Sequence, residues 1–279
     1  MRGFITYVPV VLIALSCYGC KEEEGIVPDA ESTLEQSAGI PDDVTEGNDD
    51  RQNNNNSDDS LGPIEIEGYQ LYDIEGFSVY VQDLVFQQSE DLAAEAVELV
   101  ESDLTEVLSF SFSDSATAIF RSTKIFIDWR TTDGAAVYHP NPQWLAANGY
   151  IPEKANSIEI SNVTNYINWT QQNQPFLMLH ELSHAYHFNL ASEHHEIIKN
   201  AFDIAMNKGL YFDIPYDHGN GSFYDAEKAY ATTNEYEFFA ELSEAYYGQN
   251  DYFPFNLADL ERYDRKSYEM IQTIWNLFQ

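Results

Sequence analysis

From residue 64 onward, apolar and polar positions follow two distinct periods. Residues 64–72 and 77–81 alternate as strands do, with a glycine break at Gly76. Residues 90–108 bring Leu92, Ala96, Leu99, Val100, Leu104, Val107 and Leu108 round at a spacing of about 3.6, with acidic residues between them. That pattern predicts an amphipathic helix. Residues 124–129 (KIFIDW), 135–138 and Ser157–Ile160 (SIEI) predict short strands. His139-Pro140-Asn141-Pro142 predicts a turn with His139 in solvent, then a brief helix ending near Gly149.

Past residue 175 the pattern is helical. Pro175 suits a first helical position, where its missing N–H would be unpaired anyway. Residues 176–190 (FLMLHELSHAYHFNL) carry Glu181 as their one formal charge. Leu179, Leu182 and Tyr186 cover one side of the wheel, and Phe176, Leu177 and Phe188 flank the histidines. A helix apolar nearly all round belongs inside a domain. Residues 193–208 predict an amphipathic helix opened by His194 and His195, which read as surface histidines. Helices are also predicted over 234–247, Leu257–Tyr263 and 266–278. In the last, Met270, Ile271, Ile274, Trp275 and Phe278 form a core-packing stripe. These elements predict one α+β domain over 63–279, with a small mixed sheet in its N-terminal part and a mainly helical C-terminal part.

Composition separates this domain from what precedes it. The 19 Tyr and 17 Phe lie almost wholly after residue 62, as a packed body rich in amphipathic aromatics requires. Residues 1–20 begin with Arg2, continue with an apolar run over 8–15 that is too short to span a bilayer, and read as a secretory signal. Residues 21–62 are acidic and without aromatics, which predicts a disordered linker unable to offset its own ordering entropy. No cysteine follows Cys20, so the body has no disulfide framework, cysteine-rich zinc site or cysteine nucleophile. The formal charge of −34 argues against nucleic acid and anionic lipid surfaces as partners. A monomeric state is expected.

His180-Glu181-Leu182-Ser183-His184 reads H-E-x-x-H. On a helix the two histidines stand one turn apart on one face and can share a zinc ion, with Glu181 placed to act on a metal-bound water. A metal would also compensate a carboxylate and two imidazoles buried in an apolar helix. The alternative is a core helix with two hydrogen-bonded histidines and a Glu at its rim. Metzincin sites have Gly where His187 stands and His where Leu190 stands, so this is another class. His187 is expected as a buried, hydrogen-bonded neighbour of the site. A catalytic zinc site needs a third protein ligand. In 234–247 (NEYEFFAELSEAYY), Glu237, Glu241 and Glu244 share one helix face. Either that face is solvated, or Glu237 binds zinc while Glu241 accepts a hydrogen bond from a ligand histidine.

Two resemblances add to this reading. The end of the signal, Ser16-Cys17-Tyr18-Gly19-Cys20, resembles a bacterial lipoprotein signal, which implies lipidation at Cys20 and an extracytoplasmic, surface or outer-membrane location. Cys17 is the alternative anchor, and an ordinary cleaved signal with incidental cysteines is the plainer reading. His180-Glu181-Leu182-Ser183-His184, followed later by Glu237-Phe238-Phe239-Ala240-Glu241, is similar to the gluzincin arrangement of zinc metallopeptidases, and most to anthrax-lethal-factor-type catalytic domains. The resemblance covers roughly residues 170–278 and is specific at the two motifs. It implies a zincin-like fold, zinc held by His180, His184 and Glu237, Glu181 as general base, Glu241 at the second acidic position and Tyr230 facing the site. An extended peptide substrate would pair with an exposed edge strand, for which Ser157–Ile160 is the sequence choice. The same chemistry would serve a non-peptide amide, and a catalytically silent binding protein on the same fold is the reading from another class.

Overall fold

The computed structural model describes residues 64–276. The signal segment with Cys17 and Cys20, the linker 21–62 and Phe278 lie outside them. Strands β1 (Tyr69–Ile74) and β2 (Phe77–Gln82) form an antiparallel hairpin in which Ile74 faces Phe77. Its two turn residues, Glu75 and Gly76, both have positive φ (52° and 83°), the geometry whose twist matches paired strands. Residues 64–68 precede the strand rather than open it. Ile64 is exposed and accepts a hydrogen bond from the Tyr80 hydroxyl at its carbonyl (2.9 Å).

Helices α1 (Asp83–Gln88), α2 (Glu90–Ser109) and α3 (Asp114–Ser122) lead into β3 (Lys124–Ile127), which pairs parallel with β2. Then come β4 (Val137–Tyr138), α4 (Pro142–Ala147) and β5 (Ser157–Ile160). Strand β5 pairs parallel with β3 and antiparallel with β4, giving the order β1-β2-β3-β5-β4. So β5 is internal and buried throughout, and the sheet edge beside the helices is β4 instead.

Alternation sorts the two faces of the sheet. Val79, Val81, Ile125, Ile127, Ile158 and Ile160 join the main core with α2. Tyr80, Phe126 and Glu159 take the opposite face. There the buried Lys154 pairs with Asp128 and with Glu159 (2.7 Å), and His139 Nε2 meets Glu159 at 2.5 Å. His139 is therefore buried rather than solvated. A carboxylate on a covered sheet face must have donors, and the turn carries His139 under the sheet to supply one.

The C-terminal region holds α5 (Val163–Gln172), α6 (Leu177–Phe188), α7 (Ser192–Asn207), the hairpin of β6 (Phe212–Asp217) and β7 (Phe223–Lys228), α8 (Glu235–Tyr247), α9 (Leu257–Tyr263) and α10 (Arg265–Trp275). Helix α6 begins at Leu177, with Pro175 in the preceding turn rather than at the first helical position. It is buried from Leu177 to His187, as its all-round apolarity predicts. Trp275 stacks on Tyr186 of α6 (4.5 Å) and Phe239 of α8 (5.4 Å), and donates its Nε1–H to Ser243 Oγ (3.0 Å). Helix α10 thus fixes α6 against α8. The described residues form a mixed α+β fold with a small N-terminal sheet and a helical C-terminal region. None of their helices is long and apolar enough to cross a membrane.

Candidate metal centre

Asn234 opens α8. Its Oδ1 accepts from the backbone N–H groups of Tyr236 and Glu237 (2.9 Å each), which fixes the first turn and the position of Glu237. Facing it on α6 are His180 and His184, ring centroids 4.9 Å apart. Glu237 Oε2 lies 3.0 Å from His180 Nε2 and 3.2 Å from His184 Nε2. Donor atoms of all three residues fall within 4.8 Å of one another. Two imidazoles and a carboxylate converging in this way are a donor set that suits zinc.

Electrostatics favour a cation there. Burial alone would raise the Glu237 carboxyl, but His184 and His180 outweigh it and hold the group well below the usual carboxylate range. Burial alone would lower His180, yet hydrogen bonds to Glu237 and Glu244 raise it well above its ordinary value. The cluster favours positive charge: a proton on an imidazole in the metal-free protein, and a site where a metal ion could take its place.

Glu181 is 5% exposed, and burial raises its carboxyl against the lowering effect of His180 and His184. The backbone N–H of Tyr138 on β4 donates to this carboxylate, while the buried Oε2 of Glu181 has no partner among the described residues. Tyr230, half-buried on a short 3-10 turn (Tyr230–Thr232) just before α8, has its ring centroid 6.3 Å from that of His180.

The three glutamates of α8 share a face as expected, and that face is not solvated: Glu241 and Glu244 are 4% and 5% exposed. Their roles differ from the sequence expectation. His180 Nδ1 donates to Glu244 Oε1 at 2.7 Å, whereas Glu241 Oε1 is 3.9 Å away. Glu241 instead accepts from Asn250 Nδ2 (3.1 Å). With Nδ1 bonded to Glu244, a His180 that has given up its second proton would turn the Nε2 lone pair toward His184 and Glu237. His187 is buried as expected, but among the described residues neither of its ring nitrogens has a hydrogen-bond partner. Its environment is aromatic, with Tyr236 and Phe239 beside the ring.

Sequence reasoning did not find Asp251. It is buried behind Glu241 and accepts from Gln174 Nε2 (2.9 Å). Burial raises the carboxyls of Asp251, Glu241 and Glu244 together. Asp251 stands in an aperiodic loop after α8, where no local signal marks it. Comparisons of the chain with protein-family models, curated proteins and solved structures give no match.

Proposed function

We propose that the chain is a zinc-dependent peptidase of gluzincin type on a zincin-like fold. The observation that carries this reading is one carboxylate oxygen of Glu237 meeting both histidine Nε2 atoms, with Glu181 beside them. His180, His184 and Glu237 would hold the zinc. When bound, zinc supplies an acidified water and polarises the scissile carbonyl. Glu181 takes the water proton and delivers it to the leaving amine, one oxygen steadied by Tyr138 N–H and the other free to receive the proton. Tyr230 brings a phenol to the same side as His180, suited to donating to the oxyanion that develops on the substrate.

Strand register supports a path for that substrate. His139 N–H donates to Ser157 O and His139 O accepts from Asn156 N–H, so the backbone of Tyr138, one residue earlier, faces away from β5. An extended substrate backbone would pair with the Tyr138 carbonyl on that outer side of β4, the Tyr138 N–H being given to Glu181. We place the enzyme outside the cytoplasm, anchored through a lipid at Cys20, on the resemblance of residues 1–20 to a lipoprotein signal.

Metal analysis alongside hydrolysis of an unfolded protein tests the reading. Glu181→Gln should keep near-stoichiometric zinc and lose about 100- to 10,000-fold in hydrolysis. Glu237→Ala should lose the zinc, because two histidines leave the site half built. Hydrolysis that survives a chelator, or that Glu181→Gln leaves intact, would sink the assignment.

A further inference from the structure

Helix α6 carries one more histidine than the proposed centre uses. His187 is 0% exposed, with both ring nitrogens unpartnered among the described residues. Buried polar groups are nearly always partnered, so an orphaned imidazole calls for a physical account. Its neighbours on α8 offer little: Tyr236 and Phe239 present rings at 4.7 Å and 5.2 Å. The polar ring alongside is His195, in the first turns of α7, with its centroid 4.8 Å from that of His187. His195 is half-buried, so it opens the pair to solvent. Burial, reinforced by His195 and His184, pushes the His187 imidazole down to about 2, which keeps it neutral. A neutral imidazole is the form that binds metals.

We propose that His187 and His195 form a second, weaker site for a borderline transition metal such as zinc, copper or nickel, with water completing the coordination on the His195 side. Two imidazoles suit these ions and not calcium or magnesium, which take oxygen ligands. The site is separate from the His180–His184–Glu237 cluster. It shares no ligand with that cluster and draws on α7, which contributes nothing to it. An ion there would tie α7 to α6 and give His187 the partner it lacks.

Calorimetric titration of Zn2+ into the metal-free, full-length protein tests this. Wild type should show a second binding event, weaker than the first, together with a rise in melting temperature, since an ion that binds only the native state stabilises it. His195→Ala, which removes a half-exposed side chain, should lose that event while retaining the first zinc. His187→Phe, which fills the space with an apolar ring, should do the same. A single event in wild type that survives His195→Ala would overturn the proposal. A second event unchanged in His195→Ala would assign the ion to surface carboxylates, and would overturn it equally. The peptidase reading is scored separately, by the first equivalent of zinc and by hydrolysis. If the first cluster takes no zinc, a single His195-dependent event still supports the second site.

Discussion

Glu241 and Glu244 lie one turn apart on α8, yet Glu244 is the one that reaches His180 Nδ1. An outer carboxylate of this kind orients a metal-binding imidazole, and its loss usually costs about 10- to 100-fold in affinity or activity. Glu244→Gln should show that loss, and Glu241→Gln a smaller one, in competition against a chromophoric chelator. The reverse order would mean that α8 is rotated in solution relative to the geometry described. Spacing alone put both glutamates on the right face. Which of them meets His180 depends on how α8 is turned against α6, and no local pattern encodes that. His139 failed for a similar reason: its partner Glu159 is 20 residues away, on another element. A second test concerns Asp103 of α2, which accepts a hydrogen bond from the Tyr166 hydroxyl of α5. Burial pushes the Asp103 carboxyl up to about 7, Tyr166 opposing and Glu106 adding. The unfolded value is about 3.9. The native state therefore binds this proton more tightly than the unfolded chain does. The stabilising contribution is complete below about pH 4 and is lost as pH rises toward 7. Asp103→Asn should be more stable than wild type at pH 8, by on the order of 2–4 kcal/mol, with the advantage shrinking toward pH 4. A difference independent of pH in urea unfolding would refute that account.

Among the elements, α2, α6 and α8 were legible because their apolar stripes are long and regular. Helix α5 was not: VTNYINWTQQ mixes β-branched and amide side chains, and forms a helix by capping at Asn162 and burying Val163, Tyr166 and Ile167. The β6–β7 hairpin was not legible either, since FDIPYD and FYDAEK are acidic and interrupted by Pro215. The loop after α8 supports it from the other side, where Phe253 N–H donates to Pro215 O (2.9 Å) and Asp217 N–H to Asp251 O (2.7 Å). Helix α10 was read correctly as packing, and its Trp275 explains why it matters. Trp275→Ala should remove the stack that joins Tyr186 to Phe239 and cost about 3–5 kcal/mol, measured by urea unfolding. Gly219→Ala should also destabilise, because φ is +85° and the new Cβ would stand 2.6 Å from Gln172 O. A neutral Gly219→Ala variant would show that this turn relaxes freely.

For the whole chain, composition predicts that residues 21–62 add nothing to the core. A chain beginning at Pro63 should melt at the same temperature as the mature protein, and a drop of several degrees would contradict this. Labelling with a fatty acid should follow Cys20 and vanish in Cys20→Ser, while dependence on Cys17 would move the anchor. The sheet and the helices divide the proposed chemistry between them in a way that bears on damage. His180, His184 and Glu237 all sit on α6 and α8, which Trp275 holds together, whereas the donor that steadies Glu181 comes from β4. In the proposed enzyme, keeping the ion and using it would therefore answer to different parts of the molecule. Mild denaturant that loosens β4 first should silence hydrolysis while zinc stays bound. A chain caught in that state would be a loaded but harmless one, unable to digest its own unfolded neighbours.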